Sequence, residues 1–314
     1  MHYDIIGDIH GCNQTLVALL EKLGYHLSND GYSHPDRKAI FLGDFIDRGP
    51  GQREVIEIVR PMIVSGAAYS VMGNHEYNAI CYHTKYPNAD KTLREHTPDN
   101  EKQHKAFLDA YENYSNEKEK VINWFKTLPL WLDLGKLKII HACWDINLIN
   151  KLQKTYGIEN KINDKLLYDS AVKKSETYEA IETLLKGKEV KLPNDRKFPD
   201  NYGKLRNAIR IRWWDKTATT YKQAHLGPES ARTNIPEDPF NTDHILEYSH
   251  DAAPVFHGHY WLEGNPKPLA PNIVCVDYSV GKKEFRGKLV AYCWNGEKAL
   301  EKDKFVWVDR LEEF

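Results

Sequence analysis

Three short motifs rich in metal-binding side chains stand in order near the N-terminus. They are Gly-Asp-Ile-His-Gly at residues 7–11, Gly-Asp-Phe-Ile-Asp-Arg-Gly at residues 43–49 and Gly-Asn-His-Glu at residues 73–76. Each follows a short apolar run. Carboxylate and carboxamide oxygens suit Mn²⁺ or Mg²⁺, while imidazole nitrogens suit Zn, Fe and Mn. The combination predicts a divalent metal site and, with it, a metal-dependent hydrolase.

Hydrophobic periodicity predicts how the fold positions these motifs. The expected elements are a strand at 3–6, a helix from Asn13 to Gly24, a strand at 39–42, a helix opening at 49–50 and a strand at 68–72. Strands that alternate with helices pair in parallel through right-handed crossovers. The side chains just past the three strand ends, Asp8, Asp44 and Asn74, should therefore converge at one edge of the sheet.

The rest of the chain predicts further helices and short strands within one domain, 1–314. The expected elements are one or two helices over 101–127, a hairpin of 130–134 with 137–141, and strands at 254–256, 273–276, 289–294 and 305–308. Between them, residues 150–245 are polar, lysine-rich and mostly helical in character, with irregular Pro-bearing stretches at 191–202 and 227–240. We interpret residues 150–245 as a cap inserted over the site.

Charge is unevenly distributed along the chain. The overall net charge is -2, which gives no reason to expect a general nucleic-acid binder. Residues 151–232, however, hold 18 Lys and Arg against 11 Asp and Glu, a local net charge of +7. These cations either form solvated helix faces or attract a polyanionic substrate into a cleft.

Composition predicts a folded cytoplasmic protein. Of the 314 residues, 41% are apolar, and no stretch approaches the roughly 18 apolar residues of a membrane span. The chain enters its first strand without a basic and then apolar leader. Its five cysteines are scattered without a Cys-x-x-Cys pair, so we expect reduced thiols.

The three motifs together resemble the signature of the calcineurin-like metallophosphoesterases of the phosphoprotein-phosphatase type, which reads GD-x-HG, GD-x-x-DRG and GNHE. All three are intact here. The bacterial branch of serine/threonine phosphatases and symmetrical dinucleoside-tetraphosphatases is the most similar. The resemblance implies an α/β fold, a metallophosphoesterase β-sandwich flanked by helices, with a helical cap insertion.

The resemblance also implies a binuclear metal centre. The implied ligands are Asp8 and His10 for the first ion, Asn74, His141 and His259 for the second, and Asp44 as the bridge. His141 lies in an HAC rather than HAG motif, and Trp261 stands where some relatives carry a further histidine. Mn²⁺ is the expected metal, with Fe, Zn or Ni as alternatives.

In the implied reaction a metal-activated hydroxide attacks phosphorus. Arg48 offsets phosphoryl charge, His75 protonates the leaving oxygen and Asp47 supports the imidazolium of His75. The resemblance also implies a second phosphate-binding arginine from the cap region. Arg210 and Arg212 are both candidates, because strand alternation puts them on one face. Arg212 is the expected residue and Arg210 the alternative.

For several other aromatic and histidine residues the sequence either predicts a structural role or leaves two alternatives open. Trp213, Trp214 and Tyr221 either stack on a nucleobase or pack the core. The histidines expected as surface or packing residues include 83, 96, 104, 225, 244, 250 and 257.

The predicted function is hydrolysis of a dinucleoside polyphosphate of the diadenosine tetraphosphate type. A serine/threonine phosphoprotein phosphatase or a broad phosphomonoesterase is the alternative, since the same metal site serves both. A non-catalytic binding scaffold is a third hypothesis. The expected partners are a phosphorylated small molecule or a phosphoprotein, with no membrane partner.

Overall fold

A computed structural model describes residues 2–199, 203, 205–282 and 287–312. The strands are β1 (His2–Ile6), β2 (His26–Ser28), β3 (Gly31–Ser33), β4 (Arg37–Phe41), β5 (Ala68–Ser70), β6 (Trp131–Asp133), β7 (Lys138–Ile140), β8 (Glu189–Lys191), β9 (Phe198–Pro199), β10 (Leu205–Arg206), β11 (Ala208–Arg210), β12 (Val255–His257), β13 (Ile273–Cys275), β14 (Asp277–Tyr278), β15 (Lys288–Trp294) and β16 (Phe305–Asp309). The α-helices are α1 (Asn13–Lys22), α2 (Gln52–Val64), α3 (Asn74–His83), α4 (Pro98–Ala110), α5 (Ser115–Phe125), α6 (Ile146–Tyr156), α7 (Asp164–Ser170), α8 (Glu176–Lys186), α9 (Tyr221–Ala224) and α10 (Glu229–Arg232). Short 3-10 helices lie at Pro193–Asp195, Thr242–His244 and Lys302–Lys304.

The larger sheet carries the three motif-bearing strands. Its order is β14-β15-β1-β4-β5, with β16 paired to β15. β1 pairs parallel with β4, and β4 pairs parallel with β5, which confirms the predicted β-α-β-α-β arrangement. Because the strands are parallel, the residues that follow Ile6, Phe41 and Ser70 leave the sheet at one edge.

The smaller sheet has the order β13-β12-β7-β6. The predicted hairpin is present as antiparallel β6 and β7, and β12 lies parallel to β7. Phe256 of β12 packs on Tyr292 of β15 with 5.2 Å between ring centroids, and both side chains are fully buried. The two sheets therefore share one apolar core as a sandwich, which is the predicted architecture.

Residues 150–245 divide into two parts. α6, α7 and α8 pack on the main core through side chains such as Leu152 and Leu184. After α8, a short ladder of β8 with β11 begins a segment with its own apolar cluster. That cluster comprises Val190, Leu192, Phe198, Ile209, Ile211, Ala218, Ala224, Ile235, Phe240 and Ile245. The end of the irregular stretch predicted at 191–202 lies outside the described residues.

A short antiparallel hairpin follows α1. The hairpin of β2 and β3 was not predicted, because its strands are three residues long and largely polar. In the parts of the chain that the structure describes, no helix combines the length and apolar character needed to cross a membrane.

Candidate metal centre and substrate cavity

Loops at the ends of buried strands bring the candidate ligands together. Asp8 follows β1, Asp44 follows β4 and Asn74 opens α3 shortly after β5. His141 and His259 follow β7 and β12, which are parallel neighbours in the smaller sheet. All five side chains are buried. The site therefore lies where the motif-bearing edges of the two sheets meet.

Asp44 lies between two groups of histidines. Its Oδ2 is 3.7 Å from His10 Nε2 and 3.9 Å from His75 Nε2. The same oxygen is 3.4 Å from His141 Nε2. Candidate ligand atoms of His10, Asp44 and His75 form one group within 4.8 Å, and those of Asp44, His141 and His259 form another. Asp44 belongs to both groups, as a bridging carboxylate would.

Unpaired buried polar atoms test whether a metal fits this site. Within the described part of the chain, Asp8 Oδ1, His10 Nε2 and both ring nitrogens of His259 have no hydrogen-bond partner. A buried polar atom left unpaired costs about 1–3 kcal/mol. Carboxylate oxygen and imidazole nitrogen are ligands for divalent transition metals, so a cation here would satisfy these atoms. The donor set therefore fits a divalent metal ion.

Backbone carbonyls orient two of the imidazoles toward the centre. His10 Nδ1 is 3.0 Å from the carbonyl oxygen of Ile46, and His141 Nδ1 is 2.7 Å from that of Leu42. With Nδ1–H donating to the carbonyl, Nε2 is the nitrogen that faces Asp44. The hydrogen bond from Nδ1 to a backbone carbonyl fixes the orientation of each ring, as is usual for histidines that bind a metal through the other nitrogen.

Neighbouring buried side chains of the centre shift each other's pKa values. Burial raises the pKa of Asp44, but the neighbouring His141 and His75 imidazoles outweigh burial and hold this pKa well below its usual range. Burial opposes the imidazolium of His141, yet Asp44 raises the pKa of His141 to about 10. A histidine must lose its proton to bind a metal, so metal binding at His141 would release one.

Glu76 binds the backbone of the loop that carries the candidate ligand Asp44. Its carboxylate accepts the backbone N–H groups of Asp44 at 2.8 Å, Phe45 at 2.8 Å and Gly73 at 3.0 Å. A Cβ atom at residue 73 would lie 2.3 Å from Asp44 Oδ1, so only glycine fits there. The first and last residues of the 73–76 motif thus position Asp44. No role for Glu76 was predicted from the sequence.

His75 and Asp47 form a short buried pair. His75 Nδ1 is 2.5 Å from Asp47 Oδ2, and the backbone N–H of Asp47 donates to Gln52 Oε1 at 2.6 Å. His104 Nδ1 lies 2.9 Å from the other oxygen of Asp47. Burial raises the pKa of Asp47, but the hydrogen bonds from His104 and then His75 hold it below its usual range. His104 was expected only as a surface or packing residue and has no local signal in the sequence.

A cavity of about 490 Å³ lies against the candidate metal centre. Asp44, Asn74, His75 and His259 line one part of it. Its cationic lining residues are Arg48, Arg94, Lys186, Arg206, Arg210 and Lys282. The acidic lining residues among those described are Asp44 and Glu189. The cavity is therefore suited to an anionic ligand longer than a single phosphate.

The two candidate phosphate arginines differ in position. Arg210 lines the cavity, with its Nε 3.6 Å from Glu189 Oε1. Arg212 does not line it, and its Nε instead donates to the carbonyl oxygen of His225 at 3.3 Å. Both side chains are half-buried, as the predicted alternation requires. The cavity thus favours Arg210 over Arg212, the residue expected from the sequence.

The aromatic residues near Arg212 pack the interior. Trp213 is fully buried and Trp214 is 7% exposed, with 5.0 Å between their ring centroids. His257 packs beside them, 5.8 Å from the ring of Trp214. Tyr221 packs edge-on against Phe240. The structure therefore matches the packing alternative for these side chains.

Part of the chain is similar in sequence to bacterial proteins of known name. Bis(5'-nucleosyl)-tetraphosphatase PrpE (asymmetrical) of Oceanobacillus iheyensis is 35% identical over 157 residues, 49% of this chain and 61% of that protein. The protein of the same name from Halalkalibacterium halodurans is 49% identical over 76 residues, 24% of this chain and 31% of that protein. The chain thus spans less than two thirds of the length of these relatives. The names of these relatives include the word asymmetrical, whereas the motifs suggested the symmetrical branch.

The fold and family comparisons cover much more of the chain. A serine/threonine phosphatase structure from Saccharomyces cerevisiae, described as similar to human PP5, matches with a TM-score of 0.53 and 14% identity, covering 100% of this chain and 81% of that one. This similarity shows the fold. The calcineurin-like phosphoesterase family matches residues 1–261. The chain therefore belongs to the calcineurin-like phosphoesterases, the family that its three motifs predicted.

Proposed function

We propose that the chain is a metal-dependent hydrolase that cleaves dinucleoside polyphosphates such as diadenosine tetraphosphate. The observation that carries this proposal is the set of six cationic side chains that line the cavity beside Asp44. A phosphomonoester needs positive charge only around the reacting phosphorus. A polyphosphate carries several negative charges that cations along a cavity can meet through charge-assisted hydrogen bonds. The names of the two bacterial relatives agree with this substrate class.

Family membership implies divalent metal ions, and we propose two of them, with Mn²⁺ expected and Fe, Zn or Ni as alternatives. Bound ions of this kind lower the pKa of water and offset charge on phosphoryl oxygens. The side chains proposed to hold them are Asp8, His10, Asp44, Asn74, His141 and His259. The unpaired buried atoms of Asp8, His10 and His259 support this set.

His75 is proposed as the general acid. Its Nδ1 is occupied by Asp47, so its Nε2 is the nitrogen available to the cavity. By distance alone His75 also fits the first ligand group. We assign the acid role because Asp47 stabilises the imidazolium that donates the proton, and because Asp8 and His10 supply ligands on that side. No covalent phosphoenzyme is required.

Arg48 and Arg210 are proposed to bind phosphoryl oxygens. Both line the cavity, and a guanidinium can meet two phosphate oxygens at once. Arg210 comes from the segment with the separate apolar cluster. We therefore propose that residues 150–245 act as a cap within a single domain, 1–314, and that the part after α8 covers the site. A cytoplasmic location stays a prediction from the sequence.

A substrate panel tests the proposal. Purified protein loaded with Mn²⁺ is incubated with diadenosine tetraphosphate, a phosphopeptide and nitrophenyl phosphate, and the products are separated by chromatography. The proposal expects the highest kcat/KM for the tetraphosphate. Two ADP would indicate symmetrical cleavage, and ATP with AMP would indicate asymmetrical cleavage. Preference for the phosphopeptide would support a phosphoprotein phosphatase instead, and no turnover of any substrate would support a binding scaffold.

A further inference from the structure

Both carboxylate oxygens of Asp47 bind an imidazole. Oδ2 lies 2.5 Å from His75 Nδ1, and Oδ1 lies 2.9 Å from His104 Nδ1. Asp47 is 2% exposed and His104 is 5% exposed, so water does not compete for these contacts. His104 belongs to α4, which follows the last of the three sequence motifs. The second imidazole therefore adds a contact that the motifs themselves do not contain.

The surroundings of His104 hold its ring in one orientation. The ring stacks on Phe107 with 4.8 Å between centroids and 16° between planes. Its Nε2 is 3.3 Å from Nε2 of His83. With Nδ1–H donating to Asp47, the neutral ring of His104 offers its Nε2 as the acceptor for an N–H of His83. Both ring nitrogens thus have a defined partner, which selects one tautomer and one rotamer.

A second donor matters because Asp47 sits on a constrained loop. Its backbone has a φ of 69°, and its own N–H is held by Gln52. A carboxylate bound on one oxygen can still rotate about its last bond. An N–H donor on each oxygen removes that freedom, and a general acid loses efficiency when its proton is misplaced by a fraction of an ångström.

We propose that His104 is a positioning residue, which fixes the Asp47 carboxylate so that Nε2 of His75 faces the leaving oxygen. This inference rests on the proposed function, since it assumes that His75 is the general acid. His104 acts through Asp47 and His75 and does not itself touch the substrate. Its contribution should therefore depend on the leaving group and should vanish when His75 is absent.

The test compares His104→Ala, His104→Asn, His75→Ala and the double variant His75→Ala/His104→Ala. His96→Ala is the matched control, because His96 stacks on Tyr82 in the same layer and binds the carbonyl oxygen of Tyr82 rather than Asp47. The substrates are phenyl phosphate, whose leaving group needs a proton, and nitrophenyl phosphate, whose leaving group departs without one. Thermal unfolding is recorded for every variant.

We expect His104→Ala to lower kcat on phenyl phosphate by roughly 10-fold to 100-fold, part of the range of a general acid. The loss on nitrophenyl phosphate should be several times smaller, and KM should change little on either ester. His104→Asn should restore most of kcat, because its carboxamide N–H can replace Nδ1–H. The double variant should be no slower than His75→Ala, since residues that act as a unit are not additive. His96→Ala should match wild type.

Each of the following results would overturn the positioning role. They are equal losses on the two esters, a double variant whose losses multiply, and failure of His104→Asn to rescue while its thermal unfolding matches wild type. If His75→Ala lowers kcat on phenyl phosphate but His104→Ala has the wild-type kcat, only the positioning role of His104 fails. If His75→Ala is itself normal, the proposed acid fails and the positioning role fails with it. Should His104→Ala not fold, His104→Leu, which fills the buried space but has no N–H donor, replaces it in the comparison of esters and in the double variant with His75→Ala.

Discussion

The guanidinium of Arg48 lies over the ring of Trp261, with 4.4 Å from its Cζ to the ring centroid. Arg48 is exposed at the cavity and its backbone has a φ of 74°. Trp261 also packs on His10, with 5.3 Å between ring centroids. The aromatic face of Trp261 therefore supports the guanidinium proposed to bind phosphate, beside the candidate metal centre.

Replacing Trp261 should weaken substrate binding more than turnover. A cation–π contact contributes about 0.5–2 kcal/mol, so Trp261→Ala should raise KM for a phosphate ester by roughly 3-fold to 30-fold. Trp261→Phe keeps an aromatic face and should lie close to wild type. Steady-state kinetics with metal analysis checks this. A drop in kcat with loss of metal, at unchanged KM, would mean that Trp261 acts on His10 instead.

His75→Ala or His75→Asn should lower turnover by roughly 100-fold to 10,000-fold, the range of a general acid. Metal content should stay at the wild-type value, because the ligands remain. The loss should be much smaller with nitrophenyl phosphate than with an alkyl phosphate. Equal losses on the two esters, or a loss of one metal equivalent, would make His75 a ligand rather than the acid.

Arg210 and Arg212 form a matched pair of test sites two residues apart. Arg210→Ala should reduce kcat/KM for diadenosine tetraphosphate by roughly 10-fold to 100-fold, the effect of one or two charge-assisted hydrogen bonds. Its effect on nitrophenyl phosphate should be smaller, because that anion is shorter. Arg212→Ala should stay within about 3-fold of wild type on both substrates. A larger loss for Arg212→Ala would restore the assignment made from the sequence.

His225 should make the fold sensitive to acid. Burial lowers the pKa of His225 to about 3, and the nearby Arg210, Arg212 and Arg232 disfavour its cation further. The unfolded chain takes up this proton near pH 6.5, so the stabilising contribution is complete above pH 6.5 and is lost as pH falls toward 3. Between pH 6.5 and 5 this single group should remove up to about 2 kcal/mol of unfolding free energy.

Urea unfolding at pH 6.5 and at pH 5 measures this loss of unfolding free energy. His225→Leu should flatten the pH dependence by that amount, because leucine binds no proton. His250→Gln, at an exposed position, is the control and should keep the wild-type slope. Equal slopes for all three proteins would show that His225 is not the group responsible.

Local sequence patterns were sufficient for the motif-bearing half of the fold. Parallel strands separated by helices put Asp8, Asp44 and Asn74 at one edge, and the structure has β1, β4 and β5 in that order. The register of such strands follows from their apolar runs, which are buried on both faces. That is why the convergence of these three side chains could be predicted before any coordinates, whereas their assignment as metal ligands came from the resemblance to the family.

Contacts set by tertiary packing could not be predicted in this way. Alternation puts Arg210 and Arg212 on one face, but which of them reaches the cavity depends on how a short two-stranded ladder packs over the site. His104 meets Asp47 across 57 residues, and a histidine within a helix carries no local sign of such a contact. Glu76 was visible within a motif, yet two of its three backbone partners, Asp44 and Phe45, lie in another loop.

The central claim is that Asp44 bridges two catalytic metal ions. The measurement is a titration of metal-free protein with Mn²⁺, in which bound metal and hydrolysis of nitrophenyl phosphate are followed together for wild type and Asp44→Asn. We predict that wild-type activity rises from zero and saturates near two equivalents, and that Asp44→Asn binds less metal and loses at least about 100-fold in kcat. Saturation at one equivalent, activity without metal, or an Asp44→Asn variant equal to wild type would contradict the claim.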